Sequence, residues 1–210
     1  MNKFRRSLLS IFSVTKPQPY RKLVTCIVSN NRTPIDTMIK PTENTTVEVD
    51  MLVPGWPHYT PIFGVIDTNR FYVWHSNAGY TYFYNGTDKQ AYTDIGNTYN
   101  NRNIWKINNK GLYINEMLRI DLEGNISGNY AIYAFGVNDH GMVFTADNTV
   151  EGIKIYKMTI TDNNETVSEL LPCVANDGRA AFYDTVRKEI FYPVNGDWTY
   201  EEWWKNGIHK

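Results

Sequence analysis

From residue 20 onward, the chain consists of short runs in which apolar and polar residues alternate, separated by Asn, Asp, Gly and Pro. A period of two residues is typical of a β-strand that buries one face. The pattern predicts thirteen strands, at residues 21–28, 45–53, 61–66, 70–76, 79–84, 103–108, 111–115, 117–122, 130–137, 151–161, 165–172, 178–184 and 188–192. No helical pattern alternates with these runs, so a parallel α/β fold is not expected. We predict an all-β, two-sheet antiparallel sandwich that forms one domain.

Polar segments between these runs mark the turns. Four of them are predicted to be hairpin turns, namely Asn85-Gly86, Asn109-Lys110-Gly111, Glu123-Gly124-Asn125 and Asp162-Asn163-Asn164. Asn and Gly tolerate the left-handed backbone that tight hairpins require. In the run at 151–161, strict alternation places Tyr156, Met158 and Ile160 on one face and Ile155 and Lys157 on the other. One of these two faces is expected to be buried.

The two ends of the chain differ from this pattern. Residues 1–19 form an arm whose apolar side chains fall on one face of a helix, with basic residues elsewhere: Phe4, Leu8, Ile11 and Phe12, against Arg5 and Arg6. A helix of about twelve residues is marginal alone in water, so the arm is expected to dock on a neighbour. Residues 20–197 are predicted to be the sandwich. Residues 198–210 are a tail compatible with one short helix, capped by Asp197 and ended by Gly207.

Composition and charge support the same division. Fifteen Tyr, nine Phe and six Trp suit pleated, half-buried strands. Residues 1–22 carry a charge of +6, so the remainder of a chain with net charge −1 carries −7. The body has no basic stripe and no run of eighteen apolar residues, so neither nucleic-acid binding nor a membrane span is expected. Cys26 and Cys173 lie in predicted strands and are expected to be buried free thiols.

The second half of the body carries motifs of a known family. Residues 151–197 contain a strand with Ile153, Ile155, Tyr156 and Ile160, followed by Leu171-Pro172. A hairpin signature follows, with Asp177-Gly178, Phe182-Tyr183-Asp184, Val186, Phe191 and Asn195-Gly196. Residues 34–53, 103–121 and 130–141 match the opening strand, a later hairpin and the strand after it. Together these segments resemble the LamG-like, concanavalin A-like jelly-roll domains of bacteriophage structural proteins. Met38 and Glu116 stand where that family often has Gly.

The resemblance implies a jelly-roll topology and a non-enzymatic role in the virion, as a capsid accessory or decoration protein or a fibre-like component. Its expected partners are major capsid or tail proteins, with synthesis in the cytoplasm of the host bacterium. Within this hypothesis, Tyr183 and Asp184 are structural: the ring packs and the carboxylate binds turn amides. A glycan- or receptor-binding adhesion module on the phage tail is the alternative. A glycoside hydrolase is a second, less favoured alternative.

Candidate chemistry is sparse. Jelly-roll glycoside hydrolases carry three acids on one strand, but here Glu48 and Asp50 have no third partner because residue 53 is Val. The four histidines share no metal-ligand spacing with each other or with the cysteines, so no metal is expected. We predict no catalytic residue and no cofactor.

One aromatic hairpin is the candidate binding surface. If the strands at 70–76 and 79–84 pair, five aromatic side chains face outward: Tyr72, Trp74, Tyr80, Tyr82 and Tyr84. Such a surface is either a platform that stacks on sugars or contacts a protein, or a concave sheet face covered by the next protein or by the chain's own loops.

Overall fold

A computed structural model describes residues 17–29, 33–54, 60–75, 80–86, 90–94, 98–144 and 152–202. The predicted docking residues Phe4, Arg5, Arg6, Leu8, Ile11 and Phe12 lie outside these ranges, as do His58, Gly207 and His209.

The described residues form β-strands in the order β1 (Tyr20–Leu23), β2 (Cys26–Ser29), β3 (Ile35–Asp36), β4 (Thr46–Leu52), β5 (Thr60–Ile66), β6 (Arg70–His75), β7 (Tyr80–Gly86), β8 (Gln90–Asp94), β9 (Arg102–Asn108), β10 (Gly111–Ile114), β11 (Met117–Asp121), β12 (Tyr133–Ala134), β13 (Val137–Asp139), β14 (Met142–Phe144), β15 (Ile153–Asp162), β16 (Glu165–Ala175), β17 (Ala180–Asp184), β18 (Glu189–Phe191) and β19 (Thr199–Glu201).

These strands form two packed sheets, which confirms the predicted all-β sandwich. Sheet A has the order β11-β10-β9-β4-β15-β16-β17-β18, and sheet B has the order β14-β13-β5-β6-β7-β8, with β12 pairing both β5 and β3. The pairing is antiparallel except between β13 and β5, which are parallel.

The core lies between the sheets because alternate residues of each strand point inward. From sheet A, Val49 and Trp105 are buried in the same cluster as Phe63, Phe71 and Phe83 of sheet B. Full burial of each such side chain contributes about 1.5–3 kcal/mol, so this layer is the main source of stability.

Strand β15 departs from the predicted strict alternation. Its register with β4 shifts between Ile155 and Lys157. This irregularity places Ile155 on the same buried face as Met158, while Tyr156 is half-buried and its ring lies under the guanidinium of Arg102 at 4.0 Å. The predicted grouping of Tyr156 with Met158 is therefore wrong, because an extra residue in one strand reverses the faces beyond it.

Two of the four predicted turns are confirmed. Asn109-Lys110 joins β9 to β10, and Asn163-Asn164 joins β15 to β16 with φ angles of 51° and 64°. That left-handed conformation is tolerated by Asn, as the hairpin prediction required.

The predicted turn at Asn85-Gly86 falls at the end of β7, in the connection to β8, where Tyr84 pairs with Gln90, whereas the predicted hairpin at Glu123-Gly124-Asn125 is wrong. Asn85 lies within β7 opposite Phe71, and its buried amide donates to the carbonyls of Leu122 (2.6 Å) and Asn109 (3.0 Å). The segment with Gly124 packs against Asn85 rather than forming a hairpin. The amide of Asn85 is thus used for tertiary hydrogen bonds, which local turn statistics do not detect.

The predicted strand at 130–137 is interrupted at Phe135, whose φ of 60° separates β12 from β13.

At the C-terminal end, the prediction of a helix is wrong for residues 199–201, which form β19 and pair with β2. The preceding Trp198 is buried against Phe135 and Phe182, and its Nε1 donates to the Thr33 carbonyl at 2.7 Å. This anchor directs the chain onto the edge of β2.

A second, smaller cluster lies apart from the main core. It contains Cys173, Ala175, Ala181 and Tyr183, with the Tyr20 ring 4.8 Å from that of Tyr183. Tyr183 therefore packs as predicted.

Cys26 and Cys173 are buried and free, which confirms the prediction of two buried free thiols. Burial raises the pKa of the Cys173 thiol to about 12, and burial together with Glu201 raises that of Cys26 to about 11.

The fully buried Asp184 joins the two sheets through Arg187. Its carboxylate accepts hydrogen bonds from Ser168 Oγ (2.6 Å), Arg187 Nε (2.6 Å) and the backbone nitrogens of Val186 and Arg187. Arg187 Nη1 in turn donates to the Thr37 carbonyl, next to β3 of sheet B, at 2.8 Å. Burial by itself raises the pKa of Asp184, but these hydrogen bonds outweigh it and hold the pKa below its usual value.

Replacing Asp184 with Asn should lower the free energy of unfolding by about 2–3 kcal/mol, because Arg187 then lacks its charged partner. Denaturant unfolding measures this change. Asp177→Asn is the matched control, since Asp177 also pairs with an arginine, Arg179, but is exposed. The control should change stability little. If the two variants lost equal amounts of unfolding free energy, the buried hydrogen bonds between Asp184 and Arg187 would not be a specific source of stability.

His75 is a buried polar group in the main core. Its Nδ1 atom lies 2.7 Å from the Thr81 hydroxyl and 2.8 Å from the Tyr99 hydroxyl, and its ring meets Trp105 edge-on. Burial lowers the pKa of His75 from 6.5 to about 3.

This burial predicts acid sensitivity. Below about pH 6.5 the unfolded chain binds a proton at His75 that the folded chain does not bind, so stability should fall by about 1.4 kcal/mol per pH unit towards pH 3. The free energy of unfolding, measured at pH 6.5 and 4.5, should therefore drop by about 2–3 kcal/mol more in the wild type than in His75→Gln. Parallel losses in the two proteins would contradict a buried neutral His75.

Candidate functional site

The aromatic hairpin forms as predicted from β6 and β7. Tyr72 lies opposite Tyr84, and Trp74 lies opposite Tyr82. The residues that alternate with them in sequence, Phe71, Val73 and Phe83, are in the core. The predicted set of Tyr72, Trp74, Tyr80, Tyr82 and Tyr84 therefore shares the outer face of sheet B, and we call these five residues the aromatic array.

The rings of the aromatic array stack on each other across the two strands. The Tyr72 and Tyr84 centroids are 4.5 Å apart with an interplanar angle of 7°, and those of Trp74 and Tyr82 are 5.1 Å apart at 33°. Arg70 lies over the Tyr84 ring at 5.6 Å. Exposure rises along the array, from 7% at Tyr72 to 38% at Tyr80. Burial and the neighbouring Tyr84 raise the pKa of Tyr72.

Gly64 of β5 permits this arrangement. Its φ is +128°, and an added Cβ would lie 2.3 Å from the Phe71 carbonyl oxygen and 2.5 Å from the Tyr72 Cα. Only a residue without a side chain lets β5 approach β6 this closely. The position of Tyr72 therefore depends on Gly64.

The two acids of β4 occupy the outer face of sheet A. Asp50 accepts a bidentate pair from Arg102, with Nε at 2.7 Å and Nη2 at 2.6 Å. Glu48 is exposed and lies opposite Lys106 on β9 and Thr159 on β15. Asp50 therefore forms a surface ion pair with Arg102, and Glu48 projects from the same outer face of β4.

The histidines do not converge in the described part of the chain. His75 is in the core, whereas the imidazole of His140 pairs with Asp139 at 2.6 Å. The described residues contain no group of three or more His, Cys, Asp or Glu side chains placed to share a metal ion.

A cleft of about 450 Å³ is a feature that the sequence pattern did not reveal. It lies between the β16–β17 turn, the segment after β18 and the start of β19. Its walls combine the aromatic residues Tyr192, Trp198 and Tyr200 with Arg179 and Asp197. The high density of aromatic residues at 191–200 was the only signal, because the cleft exists only once β19 pairs with β2.

Comparison of the chain with protein-family models, with curated proteins and with solved structures finds no match. Within the described residues, the structure has no helix with the length and apolar character of a membrane span.

Gly64→Ala should destabilise the protein by about 2–3 kcal/mol or more, because its methyl group collides with backbone atoms of β6. The near-ultraviolet circular dichroism of the aromatic array should weaken in the same variant. Gly178→Ala is the matched control: φ at Gly178 is +90°, but nothing lies within 4 Å of an added Cβ. In the control, the free energy of unfolding should fall by only about 1 kcal/mol. Equal effects would show that β5 and β6 are not closely packed.

Proposed function

We propose that this protein is a non-enzymatic structural component of a bacteriophage particle that docks to other virion proteins through the aromatic array. The observation that carries the proposal is the contrast between the outer faces of the two sheets. An uncharged aromatic surface, exposed at Tyr80 and half-buried at Trp74, Tyr82 and Tyr84, is typical of a contact site, whereas paired charges are typical of a solvated face.

The outer face of sheet A carries charges that neutralise one another. Its ion pairs are Arg102–Asp50 (2.6 Å), Lys157–Glu169 (2.6 Å), Lys154–Glu201 (2.6 Å) and Lys22–Glu202. A partner docking there would have to desolvate these pairs, which costs several kcal/mol per ion. The aromatic array carries no charge on its five side chains, so a partner there would desolvate fewer ions, Arg70 beside Tyr84 among them. Docking through sheet B is therefore favoured.

Ring geometry favours a protein over a glycan as the partner of this array. A sugar stacks on an open ring face, but Tyr72 and Tyr84 use their facing surfaces for each other at 4.5 Å. Tyr72 itself is buried, so this pair offers a sugar no open ring face, and the half-buried Tyr84 and the exposed Tyr80 are left to pack and hydrogen-bond in a protein interface. The proposed partners are major capsid or tail proteins, with adhesion to host glycans through this array as the weaker alternative.

Two backbone angles support the family resemblance on which the virion assignment rests. Met38 has φ 58° and Glu116 has φ 67°, both in the left-handed region that favours glycine. These are the two positions at which the phage jelly-roll domains often have glycine. Glu116 and Asn115, with φ 50°, form the two-residue turn between β10 and β11. The left-handed backbone at both positions supports the resemblance, because it is the conformation that glycine would adopt there.

The test is incorporation into particles of the phage that encodes the protein. Tyr80→Lys with Tyr82→Lys should reduce the copy number in purified particles at least tenfold, because docking must then bury two charges. Quantitative mass spectrometry of purified particles measures this number, and thermal melting checks that the body is folded.

The same assay on a chain without residues 2–15 tests the predicted docking arm, whose loss should also prevent incorporation.

Ile104→Lys is the matched control, because Ile104 is 41% exposed on the outer face of sheet A. It should leave the copy number unchanged. Absence of the wild-type protein from particles, or full incorporation of the Tyr80/Tyr82 double variant, would refute docking through the array.

A further inference from the structure

Strand β11 forms one edge of sheet A. It pairs with β10 on one side, and within the described residues no strand pairs with its other side. The N–H and C=O groups along such an edge can bind a further strand. Of the strands at the ends of the two sheet orders, β11 and β8 have five residues each, whereas β14 and β18 have three each. The edge at β11 is therefore long enough to accept another strand.

The edge strand also carries exposed apolar side chains. Met117 is 57% exposed and Leu118 is 47% exposed. A register shift between Leu112 and Tyr113 gives β11 one extra residue opposite β10, and Met117, Leu118 and Arg119 are exposed in succession. A bulge of this kind often protects an edge from pairing, whereas exposed apolar residues on an edge favour pairing. The charges of the strand decide between these two possibilities.

The two charged residues of β11 have opposite signs. Arg119 and Asp121 are both exposed and flank the buried Ile120. In the described part of the chain, neither of them forms an ion pair, although the neighbouring charges Arg102 and Asp50 satisfy each other. A strand protected from its own copies would carry charges of one sign, because like charges that lie opposite each other repel. The charge pattern of β11 instead complements itself.

This complementarity selects one register for pairing with a second copy. In a symmetric antiparallel pair, one residue of the strand lies opposite the same residue of the other copy. With Ile120 at this centre, Arg119 of each copy lies opposite Asp121 of the other, so the same ion pair forms twice. With Arg119 at the centre, two guanidinium groups would face each other and repel. The register centred on Ile120 is therefore favoured.

We propose that β11 pairs with β11 of a second copy, forming a symmetric dimer in which sheet A is continuous and Arg119 of each copy pairs with Asp121 of the other. Five residues from each copy make a small contact, so the dimer should be weak, with a Kd on the order of 0.1 mM. Residues that lie opposite each other in a sheet share a face, so both copies present sheet B on the same side. The dimer does not depend on docking through the aromatic array, and either can fail while the other stands.

Sedimentation velocity on the full chain measures the dimer. The weight-average sedimentation coefficient should rise from the monomer value at about 10 μM to nearly the dimer value at about 1 mM, which is tenfold above the expected Kd. High salt should weaken the association because the ion pairs at the edge are screened. Over the same range of concentration, the amide NMR signals of residues 117–121 should shift.

Charge reversals test the register. Arg119→Glu and Asp121→Arg should each raise the Kd at least tenfold, because like charges then face each other twice. An equimolar mixture of these two variants should form a heterodimer with nearly the wild-type Kd, since every charge at the edge then faces an opposite charge. Thermal melting checks that each variant is folded.

Two control variants locate the contact. Glu165→Arg makes the same kind of charge change at an exposed residue of β16 and should leave the Kd unchanged. Tyr80→Lys with Tyr82→Lys alters the aromatic array and should also leave the Kd unchanged.

Three results would overturn the proposal. One is a wild-type protein that is still monomeric at about 1 mM. Another is an Arg119→Glu variant that dimerises as the wild type does, or a dimer that the Tyr80/Tyr82 double variant removes, because the contact then lies elsewhere. The third is a mixture of Arg119→Glu and Asp121→Arg that associates no more tightly than either variant alone.

Discussion

The buried carboxylate of Asp184 is the constraint around which the two sheets are aligned. Hydrophobic contacts between sheets are non-directional, so they hold the sheets together without fixing their relative position. Asp184 adds direction because it fixes Arg187, which reaches the Thr37 carbonyl beside β3 of sheet B. A carboxylate without access to water must have its hydrogen bonds satisfied, so few alternative arrangements of β17, β18 and the β3 segment are compatible with it.

A second constraint arises where β15 and β16 separate. Beyond Met158 and Leu170 they no longer pair with each other; β15 pairs instead with β2, and β16 pairs with β1. The gap admits β19, which pairs with β2 and is anchored by the buried Trp198. Without this separation the chain after β18 would have no edge to join. The cleft beside Arg179 is a direct product of the way in which sheet A is completed.

The outer faces of the sheets then divide the surface by chemistry. Sheet A presents ion pairs such as Arg102–Asp50 that satisfy one another. Sheet B presents stacked rings, with exposure concentrated at Tyr80. One outer face is charged and internally paired, the other is aromatic, and the cleft beside β19 has mixed polar and aromatic walls. This division is the physical basis for proposing a protein that works by contact.

Residue alternation by itself determined the class of fold, most strands, the Asn163-Asn164 turn and the shared face of Tyr72, Trp74, Tyr82 and Tyr84. These features depend on residues close in sequence, and a period of two fixes which face a side chain takes. Only the tertiary structure decided that Asn85 binds distant carbonyls, that Tyr156 faces outward beyond a shift in register, and that 199–201 form a strand. Each of those outcomes depends on a partner far away in the chain, such as Leu122, Arg102 or β2, whose position no local pattern contains.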